Sequence, residues 1–99
     1  LKRMQVMSSQ SELPVTACFS VEAEADPSVM PRVLEIFAKR GLVPCQWHSS
    51  LGRPGGTELV IDIQVAGLDA DMVARIAGAL RQIVRVQSVL VAKKPRARP

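Results

Sequence analysis

Residues 25–42 read ADPSVMPRVLEIFAKRGL and carry the pattern of an amphipathic helix. Val29, Val33 and Phe37 recur every four residues, which places their side chains on one face of a helix and predicts a buried apolar stripe. Gly41 follows a basic last turn and is typical of the left-handed residue that ends a helix. The fold prediction depends on this helix, because the segments before and after it alternate between apolar and polar residues.

The prolines in this stretch determine where the helix begins. Pro31 has no N–H to donate, so it fits only the first turn, where the N–H groups have no partner inside the helix. Its ring also disfavours helical backbone angles at Met30. The sequence therefore predicts an N-cap between Ser28 and Met30. We expect Ser28 to act mainly as the cap, and Pro27 and Pro31 to stiffen the loop.

Segments on either side of this helix alternate between apolar and polar residues, as half-buried strands do. Strands are predicted at residues 14–24, 43–51, 57–66 and 84–92, and a second helix is predicted to begin after the capping residue Asp69. The order β-α-β-β-α-β predicts an α+β, ferredoxin-like fold, in which a four-stranded antiparallel sheet carries two helices on one face. The residues expected on the helix-facing side are Phe19, Val21, Val33, Phe37, Trp47, Ile61, Ile63, Ile76 and Leu80.

The net charge of +4 belongs to the ends of the chain. Residues 1–12 carry +1 and are predicted to be a flexible segment, and residues 93–99 carry +4 and are predicted to be a basic tail. The domain between them, residues 13–92, carries −1. Short basic tails mostly improve solubility, so nucleic-acid binding is disfavoured. The chain has no apolar run of about 18 residues, so we expect no membrane span and a cytoplasmic location.

The reactive side chains do not form a recognisable catalytic group. His48 is the one histidine, and asparagine does not occur in the sequence. Cys45 and His48 are three apart in a predicted strand, so they point to opposite faces and cannot share a metal. We expect Cys18 and Cys45 to be reduced thiols. The predicted open face of the sheet has no aromatic residue to stack a base. We expect no catalytic residue, no metal and no cofactor in this chain.

The run DPSVMPRVLEIFAKRGLVP resembles the beginning of an ACT domain, where the pattern [NE]-P-G-V-L-x-R-V-x-x-L-F-x-x-R-G follows the first strand. The later VRVQSVLVA is similar to the closing strand of that family, and the resemblance covers roughly residues 14–92. The positions that match without a gap are Pro27, Val29, Arg32, Val33, Ile36, Phe37, Arg40 and Gly41.

Within that family, the sequence is most similar to the small regulatory subunit of acetohydroxyacid synthase (acetolactate synthase). There, too, R-V-L precedes an R-G turn, and a strand with a cysteine follows, as at Cys45. The resemblance implies a non-catalytic subunit that activates a large catalytic subunit of branched-chain amino acid biosynthesis. The thiamine diphosphate would belong to that partner. It also implies a homodimer or higher oligomer in which domains pair side by side, with valine held at the interface in feedback-sensitive members.

The resemblance assigns a candidate effector site and a candidate interface to this chain. The family's loop glycine is replaced by Ser28, its effector-contacting asparagines fall at Ala25 and Val43, and Pro31 removes a donor. We therefore expect an effector site that is degenerate, and activation of the partner without inhibition by valine. The candidate effector-site residues are Asp26, Ser28, Val29, Met30 and Val43, and the candidate interface residues are Pro44, Cys45, Trp47 and Leu51.

Two other functions stay open from the sequence. One is a different ACT-type dimeric regulator or interaction module. The other, less favoured, is nucleic-acid binding through the basic residues 93–99.

Overall fold

The computed structural model describes residues 15–52 and 54–95, with the side chain of Pro95 left aside. Its elements follow the order β-α-β-β-α-β. Their bounds are β1 Val15–Glu24, α1 Val29–Ala38, β2 Gln46–Gly52, β3 Glu58–Ala66, α2 Ala70–Arg81 and β4 Val86–Pro95. Neither helix is long and apolar enough to cross a membrane.

The strands form one antiparallel sheet in the order β2-β3-β1-β4. The central strands β1 and β3 pair over their whole length, with Phe19 opposite Ile63 and Val21 opposite Ile61. Both helices lie on the face that carries these side chains, which confirms the predicted ferredoxin-like fold and the predicted strand faces. The edges of the sheet are β2 and β4.

The hydrophobic core lies between the central strands and the two helices. Phe19 and Phe37 meet edge to face in it, with ring centroids 5.7 Å apart. Trp47 is only half-buried, because its strand is at an edge of the sheet. The other eight residues predicted for this side are buried: Phe19, Val21, Val33, Phe37, Ile61, Ile63, Ile76 and Leu80.

Helix α1 begins and ends where its sequence predicts. Ser28 is the N-cap residue, so Pro31 lies in the first turn. Gly41 has a φ of +70°, the left-handed conformation expected after the helix. The Arg40 guanidinium donates to the Ile36 carbonyl oxygen at 2.8 Å and so satisfies one of the free carbonyl groups of the last turn.

Helix α2 has the predicted cap. The Asp69 carboxylate accepts a hydrogen bond from the Met72 N–H at 2.8 Å. In the exposed first turn, Asp71 pairs with Arg75 at 3.1 Å.

The boundaries of β2 and β4 differ from the prediction. β2 begins at Gln46 rather than residue 43, since Pro44 has no N–H for a ladder hydrogen bond. β4 begins at Val86, because the Val86 N–H closes a turn onto the Ile83 carbonyl oxygen at 3.1 Å. It continues to Pro95, three residues beyond the predicted end of this strand at residue 92. Lys93 and Lys94 pair with Ala17 and Thr16 of β1.

Candidate functional site

The loop between β1 and α1 is closed by hydrogen bonds of its own. Asp26 is its centre: Oδ1 accepts the Ser28 N–H at 2.9 Å and the Ser28 hydroxyl at 2.7 Å. The Asp26 carbonyl oxygen accepts the Val29 N–H at 3.0 Å. The Ala25 N–H donates to the Thr57 carbonyl oxygen at 3.1 Å, and the Asp26 N–H donates to that of Glu24 at 2.8 Å. Every N–H group of residues 25–29 is therefore bonded within the chain, Pro27 having none to offer.

The side chain of Ser28 does not act as the predicted cap. Ser28 occupies the N-cap position, but its backbone is already helical, with φ −77° and ψ −12°. A capping side chain needs an extended backbone so that its oxygen can reach the first-turn N–H groups. The Ser28 hydroxyl donates to Asp26 instead, and no side-chain capping bond is formed.

The carboxylate of Asp26 is electrostatically favoured in its charged form. The hydroxyl and N–H of Ser28 lower the pKa of Asp26, and the positive charges of Arg85 and Arg32 lower it further. Nε of Arg85 lies 3.4 Å from Oδ2 of Asp26, and Nη1 of Arg85 lies 2.9 Å from Oε1 of Glu24.

Sequence reasoning did not anticipate Glu24 and Arg85 as partners of this loop. They are 61 residues apart in the chain. Arg85 lies in a turn that carries no glycine or asparagine signal, so no local pattern could have located it.

Four of the five candidate effector-site residues lie at the beginning of α1. Of these, Val29 is fully buried and belongs to the core, and Met30 is exposed. Val43 lies beyond the other end of the helix, about 12 Å or more along its axis, and is 84% exposed. Within one copy of the chain, the structure does not bring Val43 to the loop.

The candidate interface residues lie on or just before the edge strand β2. Pro44 and Trp47 are half-buried, and Leu51 is 63% exposed although it faces the helix side of the sheet. Cys45 is exposed, and its N–H donates to the Gln64 carbonyl oxygen at 2.8 Å. Its thiol also lies 3.3 Å from that oxygen. The two cysteines are free thiols.

The two edges of the sheet are protected to different degrees. Natural edge strands are usually kept from pairing by charges, prolines or bulges. β4 has Lys93, Lys94 and a bulge where it meets β1, and Arg81 of α2 donates to the Val89 carbonyl oxygen at 2.9 Å. The sequence of β2, QWHSSLG, carries no Asp, Glu, Lys or Arg. β2 is therefore the edge better suited to pairing with another strand.

The open face of the sheet is polar in its centre. A shallow depression there is lined by Cys18, Ser20, Asp62 and Gln64, with the exposed Leu90 of β4 at its side. His48 lies opposite Asp62 in the next strand. Within residues 15–52 and 54–95, no three His, Cys, Asp or Glu side chains come together as metal ligands. Lys93 and Lys94 point to opposite faces of β4, so they do not form one basic patch.

Comparisons with known proteins agree with this architecture. A family model described as ACT-like domain matches residues 9–97. The fold is similar to that of the ACT domain from GTP pyrophosphokinase of Chlorobium tepidum, with a TM-score of 0.66, 10% sequence identity, and coverage of 78% of this chain and 96% of that one. A comparison with curated proteins found no match.

Two further solved structures have the same fold at low sequence identity. The C-terminal domain of the MgtC protein from Mycobacterium tuberculosis has a TM-score of 0.66 and 9% identity, over 85% of this chain and 92% of that one. The ligand-free regulatory subunit of aspartate kinase from Thermus thermophilus has a TM-score of 0.58 and 16% identity, over 81% of this chain and 51% of that one.

Proposed function

The chain belongs to the ACT-like domain family, and from this membership we propose that it is a non-catalytic regulatory subunit that works as a dimer in the cytoplasm. ACT domains are regulatory modules that bind small molecules. The proposed partner is the large catalytic subunit of acetolactate synthase, which carries the thiamine diphosphate. The resemblance of residues 26–44 to the small subunit of that enzyme supports this choice.

The observation that carries the dimer in this proposal is the unprotected edge of β2, whereas the regulatory role rests on the family membership. The strand has no Asp, Glu, Lys or Arg, and its helix side presents the half-buried Trp47 and the exposed Leu51. A second copy that pairs antiparallel along β2 would extend the sheet and cover both side chains. The candidate interface of Pro44, Cys45, Trp47 and Leu51 is this edge.

The β1–α1 loop supports a regulatory role that does not depend on an amino-acid effector. The donors of Ser28 are engaged by Asp26, and Pro31 has no N–H. An α-carboxylate that enters here would have to displace the Asp26 carboxylate and leave it without those partners, which is costly. We therefore propose that the chain activates its partner and that valine does not inhibit the complex.

Reconstitution with the catalytic subunit of acetolactate synthase from the same cells tests the proposal. The purified catalytic subunit, loaded with thiamine diphosphate, is assayed for acetolactate formation with increasing amounts of this chain. We expect a saturable rise in activity and co-elution of the two proteins. Trp47→Asp, which places a charge at the proposed pairing edge, should reduce both effects, whereas Arg75→Ala on the exposed side of α2 should not.

Two other results would favour a different function. Retention of a different enzyme from a cytoplasmic extract, with no effect on the synthase, would favour another ACT-type regulator. Salt-sensitive capture of nucleic acid that disappears when Lys93, Lys94, Arg96 and Arg98 are replaced by glutamine, which keeps the backbone of β4, would favour nucleic-acid binding.

A further inference from the structure

Arg85 adopts a backbone conformation that its side chain disfavours. Its φ is +84°, and among the described residues the other positive φ angles belong to glycines. The residue lies in the turn that the Val86 N–H closes onto the Ile83 carbonyl oxygen. Its place corresponds to the third position of a four-residue turn, where a positive φ favours glycine or asparagine. An arginine is uncommon in such a position, and a residue held in a disfavoured conformation often has a role there.

The side chain of Arg85 joins this turn to the end of β1 and the loop after it. Nη1 donates to Oε1 of Glu24 at 2.9 Å, and Nε lies 3.4 Å from Oδ2 of Asp26. The main chain adds a third connection, because the Glu24 N–H donates to the Arg85 carbonyl oxygen at 3.0 Å. Two loops that are distant in sequence are therefore tied together at one end of the sheet.

Asp26 transmits this connection to the beginning of α1. Its two carboxylate oxygens have separate partners: Oδ2 faces Arg85, and Oδ1 accepts the N–H and hydroxyl of Ser28. The guanidinium thus favours the rotamer of Asp26 in which Ser28 is engaged. Charged groups close to this carboxylate include Glu24, which shares the guanidinium, and Arg32 of α1. Glu58 of β3 lies opposite Glu24.

We propose that Arg85 is a latch, a positioning residue that holds the β1–α1 loop in its internally bonded form. A partner or ligand that reshapes the loop has to release the guanidinium from Asp26 first. The turn before β4 and the loop before α1 therefore move together, and a change at either one reaches the other. This inference rests on the contacts of Arg85 alone and does not depend on which enzyme the chain regulates.

Amide hydrogen exchange of the full chain, followed by NMR, tests the latch. The main variant is Arg85→Asn, because asparagine tolerates a positive φ but has no guanidinium. We expect exchange of the Ser28 and Val29 amides to accelerate about two- to fivefold, because an ion pair that restrains a local opening is lost and this pair is partly exposed to solvent. Exchange of the core strand β3 should change much less. Arg75→Ala, which removes an exposed ion pair within α2, is the matched control and should leave the loop amides unchanged.

Two further measurements separate a latch from a general structural role. In 1 M NaCl, loop exchange should accelerate more in the wild type than in Arg85→Asn, because the variant lacks the guanidinium contact that salt screens. The pKa of Asp26, followed by NMR, should rise in Arg85→Asn and rise less in Arg85→Lys, which keeps the charge.

Loop exchange that is unchanged in Arg85→Asn, or that changes only in proportion to global unfolding, would overturn the proposal. If Arg85→Asn does not fold, the same comparison is made with Arg85→Lys and Asp26→Asn, singly and combined, and additive effects on loop exchange would overturn it.

Discussion

Trp47 of β2 lies directly opposite Ile63 of β3 on the helix-covered face of the sheet, yet Ile63 is completely buried and Trp47 only half-buried. The difference arises because β3 has a neighbour on each side and β2 has one neighbour. Leu51 lies on the same face of β2 as Trp47, and it is 63% exposed because no strand covers that edge. A strand that pairs with β2 would supply the missing neighbour.

The first prediction concerns the register of that pairing. In an antiparallel pair, opposite residues point to the same face, and a two-fold axis at Ser49 puts Trp47 opposite Leu51 of the second copy. Two Ser49→Cys residues would then have Cα atoms about 4.5–5.5 Å apart, within disulfide range. In a Cys18→Ala, Cys45→Ala background, we expect mild oxidation to give a covalent dimer on non-reducing gels.

Ser50→Cys in the same background is the control for this register. The two copies of residue 50 would be about 8 Å apart, too far for a disulfide. Cross-linking at position 50 but not at position 49 would show a different register. A monomer mass by light scattering at high micromolar concentration would contradict the pairing itself.

The second prediction concerns the core under α1. Phe37 is fully buried against Phe19, so Phe37→Ala should lower the free energy of unfolding by about 3–5 kcal/mol. Leu34→Ala on the same helix is the control, because Leu34 is 48% exposed and alanine favours helix. Its effect should be within about 0.5 kcal/mol. Urea titrations followed by Trp47 fluorescence measure both variants, and equal losses would contradict the assigned faces of α1.

The third prediction compares two glycines that both have room for a side chain but differ in backbone conformation. A Cβ atom at Gly41 or at Gly78 would meet nothing within 4 Å. Gly41 has a φ of +70°, so Gly41→Ala should destabilise the protein by about 1–2 kcal/mol. Gly78 lies inside α2, where Gly78→Ala should stabilise it by about 0.5–1 kcal/mol. Thermal unfolding of both variants should therefore give shifts of opposite sign, and shifts of the same sign would contradict the prediction.

The sequence predicted the elements whose signals are local. Pro31 located the start of α1, Asp69 located that of α2, and the alternation around Phe19 gave the correct face of β1. The sequence did not predict the true beginning of β2, because Val43, Pro44 and Cys45 continue the alternation that marks a strand. The identity of these side chains could not show that the chain pairs with β3 as a strand only from Gln46 onward.

The connection of Arg85 to Glu24 and Asp26 was beyond sequence reasoning for a different reason. The contact joins residues far apart in the chain, and it depends on a positive φ that arginine seldom adopts. The pattern IVRV around Arg85 resembles a strand, so the turn was assigned to β4. A polar contact between two loops has no periodicity that a single sequence could display.

The fourth prediction concerns pH. The pKa of Asp26 is lowered in the folded state, first by the hydrogen bonds from Ser28 and then by Arg85 and Arg32. A carboxylate with a lowered pKa contributes stability above its unfolded pKa of about 3.9, and this contribution is lost as the pH falls through the folded pKa. Asp26→Asn should therefore be less stable than the wild type at pH 7, and the difference should shrink below about pH 4.

Urea unfolding of both proteins between pH 7 and pH 2.5 measures this difference. Asp71→Asn, at an exposed ion pair of α2, is the control for a general effect of removing one negative charge. A difference between the wild type and Asp26→Asn that stays constant over the whole range would contradict the prediction.

The last prediction concerns the effector site. The N–H and hydroxyl of Ser28 already serve Asp26, and the amides of Ala25, Asp26 and Val29 are bonded to main-chain carbonyl oxygens. An amino acid would have to replace these bonds. The resemblance to the family places an effector-contacting asparagine at position 43, and Val43 has no polar side chain to take its place. We therefore expect calorimetry with valine, leucine and isoleucine to detect no binding at millimolar concentration, and valine to leave an activated synthase uninhibited. Millimolar or tighter binding of any of these amino acids, abolished by Ser28→Ala but not by the exposed control Ser50→Ala, would show that the loop is a working effector site.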